Sequence, residues 1–294
     1  MNKNEFRLGL STSGSLGIPK GIFEAYAEAG ICAMEVCFDK DYYENISWKD
    51  ICRKAKENGV ELWSFHLPFQ PYKKIDVSST DSTIREYTVA YFSELIKQAA
   101  IADIKTIVIH SSGEHIEEED RKARMNCAKK SLAELAEVAA QYGAVIAVEN
   151  LPRTCLGRNS EEILELISAD ERLRVCFDTN HLLEQPIKEF IEKVNSKILT
   201  IHASDYDFKN ERHWLPGDGK IDWPECIATL KNVGYTGPFM YELRLEPSGT
   251  IKRRMLTYHD FKVNHECLMK GEQPKAIGTP IEEKCTHWKE KKKG

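Results

Sequence analysis

The 294 residues carry 41 Lys and Arg against 46 Asp and Glu, a net charge of −5, with 41% hydrophobic and 30% charged residues. That balance suits a soluble globular chain and does not favour a non-specific nucleic-acid binder, although a local basic patch is compatible with it. Nine scattered cysteines with no Cys-x-x-Cys pair argue against a disulfide framework or zinc ribbon and suit a reducing cytoplasm, and the charged first ten residues show neither a signal peptide nor a membrane span.

Eight short apolar runs recur in chain order: FRLGLS (6–11), AMEVCF (33–38), VELWSFHLP (60–68), TIVIHSS (106–112), AVIAVENLP (144–152), RVCFDTNH (174–181), KILTIHASD (197–205) and PFMYELR (238–244). Segments of helical spacing lie between them. Ile22, Phe23, Tyr26 and Ala27 share a face in one, Leu95, Ile96, Ala99 and Ala100 in another, and Leu132, Leu135, Ala136, Val138 and Ala139 in a third. Gly30, Gly59, Gly143 and Gly234 fall where these helices should stop. Near-continuous apolar strands alternating with helices indicate a parallel sheet covered on both faces. Eight such units point to an α/β fold of the (β/α)8 barrel type, which typically needs about 250 residues. A doubly wound sheet is the rival, but STSGSLG after the first run is not the Gly-rich dinucleotide turn. The expected organisation is one barrel over 1–270 and a basic, poorly periodic extension over 271–294, read as solvated or as a strap outside the barrel.

Barrel enzymes place their chemistry at the C-terminal ends of the strands. The runs end in or near His66, His110, Glu149, Asp178 with His181, His202 and Glu242, with Arg244 just beyond. Glu149, Asp178, His202 and Glu242 would then converge on one rim. Buried carboxylates at close quarters repel one another and are costly to desolvate, and a divalent cation relieves both problems. Three carboxylates and an imidazole suit Mn²⁺, Mg²⁺, Co²⁺ or Zn²⁺. The stretch ERHWLPGDGKIDWPE (211–225) is longer than a usual connection, and its Pro-Gly-Asp-Gly core allows close backbone approach to a ligand. Arg212 and His213 are placed to reach substrate oxygens, and Asp222 to cap the next helix.

The motifs VENLP, FDTNH, IHASD, ERHWLPGDGKIDW and GPFMYEL, in that order, resemble those of the xylose-isomerase-like barrel superfamily over nearly the whole chain. That superfamily includes sugar and sugar-phosphate isomerases, ketose 3-epimerases, inosose dehydratase-like enzymes and the endonuclease IV branch. For the epimerase branch the resemblance implies one divalent ion, Mn²⁺ first and Zn²⁺, Co²⁺ or Mg²⁺ after it, on Glu149, Asp178, His202 and Glu242. It implies His181 as a substrate contact. The expected reaction is proton transfer beside a sugar's carbonyl through a metal-stabilised enediolate, with Glu149 and Glu242 exchanging the proton. His66, His110, His181, Arg212, His213 and Arg244 make up the expected substrate-binding set, and Trp63, Phe69 and Trp214 are candidates for an apolar wall or for core.

Two alternatives stand beside a sugar isomerase or epimerase. One is an inosose dehydratase-like lyase. The other is a three-zinc phosphodiesterase acting on abasic DNA, for which His66, His110, His181 and Glu211-x-His213 stand at the further ligand positions, with Glu in place of Asp. Nucleic acid is not the expected partner, since the strand-end loops are not rich in Lys or Arg, as a phosphate backbone requires, and the acidic run Glu117 to Asp120 would repel DNA that it faced. A barrel that binds without turnover is a third class. A small sugar substrate, no membrane, a cytoplasmic setting and a homo-oligomer complete the expectation.

Overall fold

A computed structural model describes residues 5–13, 15–38, 43 and 46–281. All eight apolar runs form strands: β1 Leu8–Ser11, β2 Ala33–Val36, β3 Glu61–His66, β4 Thr106–His110, β5 Val145–Glu149, β6 Arg174–Asp178, β7 Ile198–His202 and β8 Phe239–Tyr241. They run parallel in the order β7-β6-β5-β4-β3-β2-β1-β8. The cylinder closes between β7 and β8, where Ala203 N donates to Met240 O at 2.8 Å and Glu242 N to Ala203 O at 3.2 Å. The fold is therefore the (β/α)8 barrel.

The helices α1 (Ile22–Ala29), α2 (Trp48–Glu57), α3 (Ser82–Ala99), α4 (Arg121–Gln141), α5 (Ser160–Ile167), α6 (Ile187–Val194), α7 (Trp223–Asn232) and α8 (Tyr258–Met269) wrap the sheet. Their apolar stripes are buried as the spacing requires, except that Ala29 rather than the exposed Ala27 faces inward in α1. The four glycines at the helix stops all have φ between 64° and 77°, the left-handed conformation in which a glycine ends a helix without a Cβ penalty. Asp222 caps α7 by accepting from Glu225 N at 3.0 Å. The acidic run 117–120 is exposed and precedes α4.

The described part of the C-terminal extension is tied to the barrel. Gln273 accepts from Trp223 N at 3.0 Å and donates to Ile221 O at 3.1 Å. Asp218 Oδ1 accepts from Ile277 N and Gly278 N, both at 2.7 Å. A short β10 (Thr279–Pro280) pairs antiparallel with β9 (Ile251–Lys252). The lysine-rich end of the extension lies outside the described residues. No helix among the described residues is long and apolar enough to cross a membrane.

Candidate metal centre

Parallel strands of similar length end on one rim, and the chain uses that rim five times in succession. His66, His110, Glu149, Asp178 and His202 are the last residues of β3 to β7, and Glu242 follows β8 directly. Register sets the neighbours: His110 pairs with Glu149 and Asp178 with His202. Ligand atoms of Glu149, Asp178, His202 and Glu242 all lie within 4.8 Å of one another, and all four side chains are buried.

The contacts leave one kind of group wanting. Asp178 Oδ1 accepts from Asn180 N at 2.6 Å, capping a short 3-10 turn, while its buried Oδ2 has no hydrogen-bond partner. Thus the strand-end aspartate is both a turn cap and an unsatisfied carboxylate. Burial raises its carboxyl to about 7, with His181 opposing and Glu242 and Glu149 reinforcing the rise. His202 faces carboxylates with both ring nitrogens. Nε2 meets Glu35 Oε2 at 3.0 Å, and Nδ1 meets Glu149 Oε1 at 3.3 Å and Glu242 Oε2 at 3.4 Å. Burial lowers the pKa of this ring, yet Cys176 and the carboxylates of Glu35, Glu242 and Glu149 raise it well above its ordinary value, so the metal-free ring carries both protons and a divalent cation on the Nδ1 side would take the place of the second. Three carboxylates, a lone-pair nitrogen and an orphaned buried oxygen fit a divalent cation.

Glu35 was absent from the expected site, although it sits in the second apolar run. It is fully buried and accepts from Ser11 Oγ at 2.9 Å, Ser64 Oγ at 2.8 Å and His202 Nε2. Burial alone would raise its carboxyl, but His202 and the other donors bring it below the ordinary range. With Glu35 taking Nε2–H, the Nδ1 lone pair of His202 is turned into the cluster, the usual second layer around a metal-bound histidine. Asn150 was missed in the same way. Its side chain clamps the Asp178 backbone, donating to Asp178 O at 2.9 Å and accepting from Asp178 N at 2.8 Å. The signal for Glu35 was a carboxylate inside an apolar run, and for Asn150 a polar residue beside a strand-end carboxylate.

The remaining expected residues divide. His66 donates from Nδ1 to Leu67 O at 2.7 Å and turns Nε2 to Glu149 Oε2 at 3.1 Å, and His110 Nε2 reaches the same oxygen at 3.4 Å. Phe69 stacks on His110 with centroids 4.5 Å apart. His181 points Nδ1 at Asn150 O at 2.9 Å and Nε2 at Glu211 Oε1 at 3.2 Å. His213 lies beside it, rings 6.0 Å apart. Asn180 holds this segment down by accepting from Arg212 N at 2.9 Å and His213 N at 3.3 Å.

Four further candidate side chains have contacts or settings of their own. The guanidinium of Arg212 is held by Asp207 at 3.0 Å and lies over the Trp214 ring. Trp214 itself is buried and donates to Thr250. Arg244 is exposed, and its carbonyl accepts from Arg253. Trp63 spans the lower barrel, donating to Thr200 Oγ1 at 3.0 Å beneath Arg7. The glycines of the 216–219 turn also serve a different end. Asp205, fully buried, accepts from Gly217 N, Ile221 N, Tyr206 N and Trp223 Nε1. A Cβ on Gly219 would lie 2.3 Å from Asp205 Oδ1 and 2.5 Å from Tyr206 O, and one on Gly217 2.5 Å from Pro274 O. These close approaches are to the chain itself.

A closed parallel barrel with carboxylates and imidazoles converging from β5 to β8 at its C-terminal rim defines a β/α barrel with a candidate metal site. The chain belongs to the xylose isomerase-like TIM barrel family, whose model matches residues 23–258. It is 24% identical over 252 residues to the D-psicose 3-epimerase of Ruminiclostridium cellulolyticum, covering 82% of this chain and 83% of that protein. The solved structure of a D-tagatose 3-epimerase-like protein superposes with a TM-score of 0.72 at 24% identity, over 90% of this chain and 96% of the other. A family 2 AP endonuclease from Brucella melitensis superposes at 0.68 with 20% identity, over 83% and 94%.

Proposed function

We propose that this chain is a divalent-metal-dependent sugar isomerase or epimerase, most simply a ketose 3-epimerase, moving a proton at the carbon beside a carbonyl. The observation that carries this reading is the buried Glu149–Asp178–His202–Glu242 cluster with its orphaned Asp178 oxygen, and the likeness to proteins named as D-psicose and D-tagatose 3-epimerases supports it. Those four residues would hold the ion, with Mn²⁺ ahead of Zn²⁺, Co²⁺ or Mg²⁺ for a three-carboxylate, one-imidazole set. When bound, the ion supplies Lewis acidity to the substrate's carbonyl and hydroxyl oxygens.

Glu149 and Glu242 approach His202 Nδ1 from two strands, at 3.3 and 3.4 Å. Burial raises the Glu149 carboxyl, yet His202 and His110 bring it well below its ordinary value, so it is present as a carboxylate able to take a proton from carbon. Glu242 is the partner that returns a proton to the opposite face. His66 and His110 fix Glu149 Oε2, while Phe69 offers an apolar surface beside them. His213 Nε2, 3.8 Å from Glu211 Oε1, is placed for a substrate hydroxyl, and a hydroxyl meeting His181 would share its Nε2 with Glu211. The described cysteines are free, in keeping with a reducing, cytoplasmic setting.

The test is isotope exchange. Metal-loaded enzyme incubated with a ketose panel in D₂O should place deuterium at C3 of one of them, and Glu149→Gln should not. Protein that holds its ion yet exchanges no proton beside any carbonyl would overturn the reading. One observation favours a second reading: His66, His110 and Glu149 bring ligand atoms within 4.8 Å of one another beside the first cluster, and the chain superposes on a family 2 AP endonuclease. Cleavage of abasic-site DNA, with no exchange on any ketose, would select it.

A further inference from the structure

His181, Glu211 and His213 bring ligand atoms within 4.8 Å of one another, and by residue type alone they make another metal position. Their surroundings argue otherwise. Arg153, on the loop after β5, engages all three guanidinium nitrogens with polar partners. Nε and Nη2 take both oxygens of Glu114 at 2.8 and 2.9 Å, and Nη1 reaches Asn210 Oδ1 at 3.0 Å and Glu211 Oε2. Glu211 thus has a permanent cation on one oxygen and His181 Nε2 on the other, at 3.2 Å. Arg153 and His213 both hold left-handed backbone, φ 55° and 49°. Side chains other than glycine rarely adopt it unless surrounding structure enforces it. The bidentate ion pair with Glu114 and the contact with Glu211 bridge three rim loops, those after β4, β5 and β7, and so fix where the guanidinium sits.

We propose that Arg153 keeps the His181–Glu211–His213 cluster free of metal and so reserves it as a hydrogen-bonding surface for the hydroxyls of a neutral polyhydroxy substrate. A dication sharing Glu211 would lie against a guanidinium that cannot lose its proton. Arg153 is therefore a specificity-determining residue, setting how many ions the rim accepts. The inference rests on the one-ion reading above.

The test counts metal rather than turnover. Chelator-stripped protein is dialysed against buffered zinc and analysed for metal per chain, with circular dichroism as the check on folding. Wild type and His213→Ala should retain the same number of equivalents. Arg153→Met should retain one more than wild type, and Arg153→Met with His213→Ala should lose it again. Loss of an equivalent in His213→Ala alone would overturn the proposal, and so would a folded Arg153→Met that takes up no more zinc than wild type. Should Arg153→Met not fold, Arg153→Gln is read in the same way, and the wild-type against His213→Ala comparison decides by itself. Asp178→Ala separates the two readings, since unchanged metal content there would sink the one-ion centre whatever the other cluster does.

Discussion

Asp178→Asn should make the metal-free protein more stable and the metal-loaded protein less so. The Asp178 carboxyl lies at about 7 in the folded chain against 3.8 ordinarily, so its contribution to stability is fully present below pH 3.8 and is lost as pH rises through about 7. At about 1.4 kcal/mol per pH unit, holding this carboxylate ionised at pH 8 costs about 4 kcal/mol relative to the unfolded chain. Asparagine keeps the acceptor for Asn180 N and removes the charge. For a chain of this length about 4 kcal/mol corresponds to roughly 6 °C in Tm. With chelator present at pH 8, the variant should therefore melt several degrees above wild type, and the gap should close as pH falls toward 4. Mn²⁺ or Zn²⁺ at about 10,000 times its Kd should reverse the order, since it then adds about 5 kcal/mol to wild type. Metal-free wild type matching or exceeding the variant at pH 8 would refute the claim that this rim needs a cation.

Glu35→Gln should leave the barrel folded, with Ser11 and Ser64 still able to donate to residue 35. It should nonetheless weaken metal binding by about 10–100-fold through loss of control over His202; an unchanged Kd in competition titration would show that Glu35 does not orient the ring. Asn150→Ala removes both side-chain bonds to the Asp178 backbone and should lower stability by about 1–3 kcal/mol, read by denaturant unfolding. Gly219→Ala forces a methyl against Asp205 and the Tyr206 carbonyl. It should cost at least about 2 kcal/mol and raise hydrogen exchange at Gly217 and Ile221, and a neutral result would mean that the turn yields without strain.

Local pattern carried the fold. Continuous apolar runs read as buried parallel strands, glycines marked the helix stops, and the count of eight separated a barrel from an open sheet. The same pattern located the rim, because parallel strands ending in phase must present their last residues together; Glu149, Asp178, His202 and Glu242 were legible for that reason. What crosses the barrel was not. Glu35 and His202 are 167 residues apart, and only strand stagger and closure bring Glu35 beneath the imidazole. Arg153 reads as an ordinary loop residue until folding sets it between Glu114 and Glu211. Trp63 looked fit for a sugar wall, yet its place three residues before the end of β3 puts it a layer too low. Arg244 follows the right strand and is exposed. Periodicity determines which residues share a face or an end; which of them touch depends on the shear of the closed sheet and on the paths of the loops, and those belong to the whole chain.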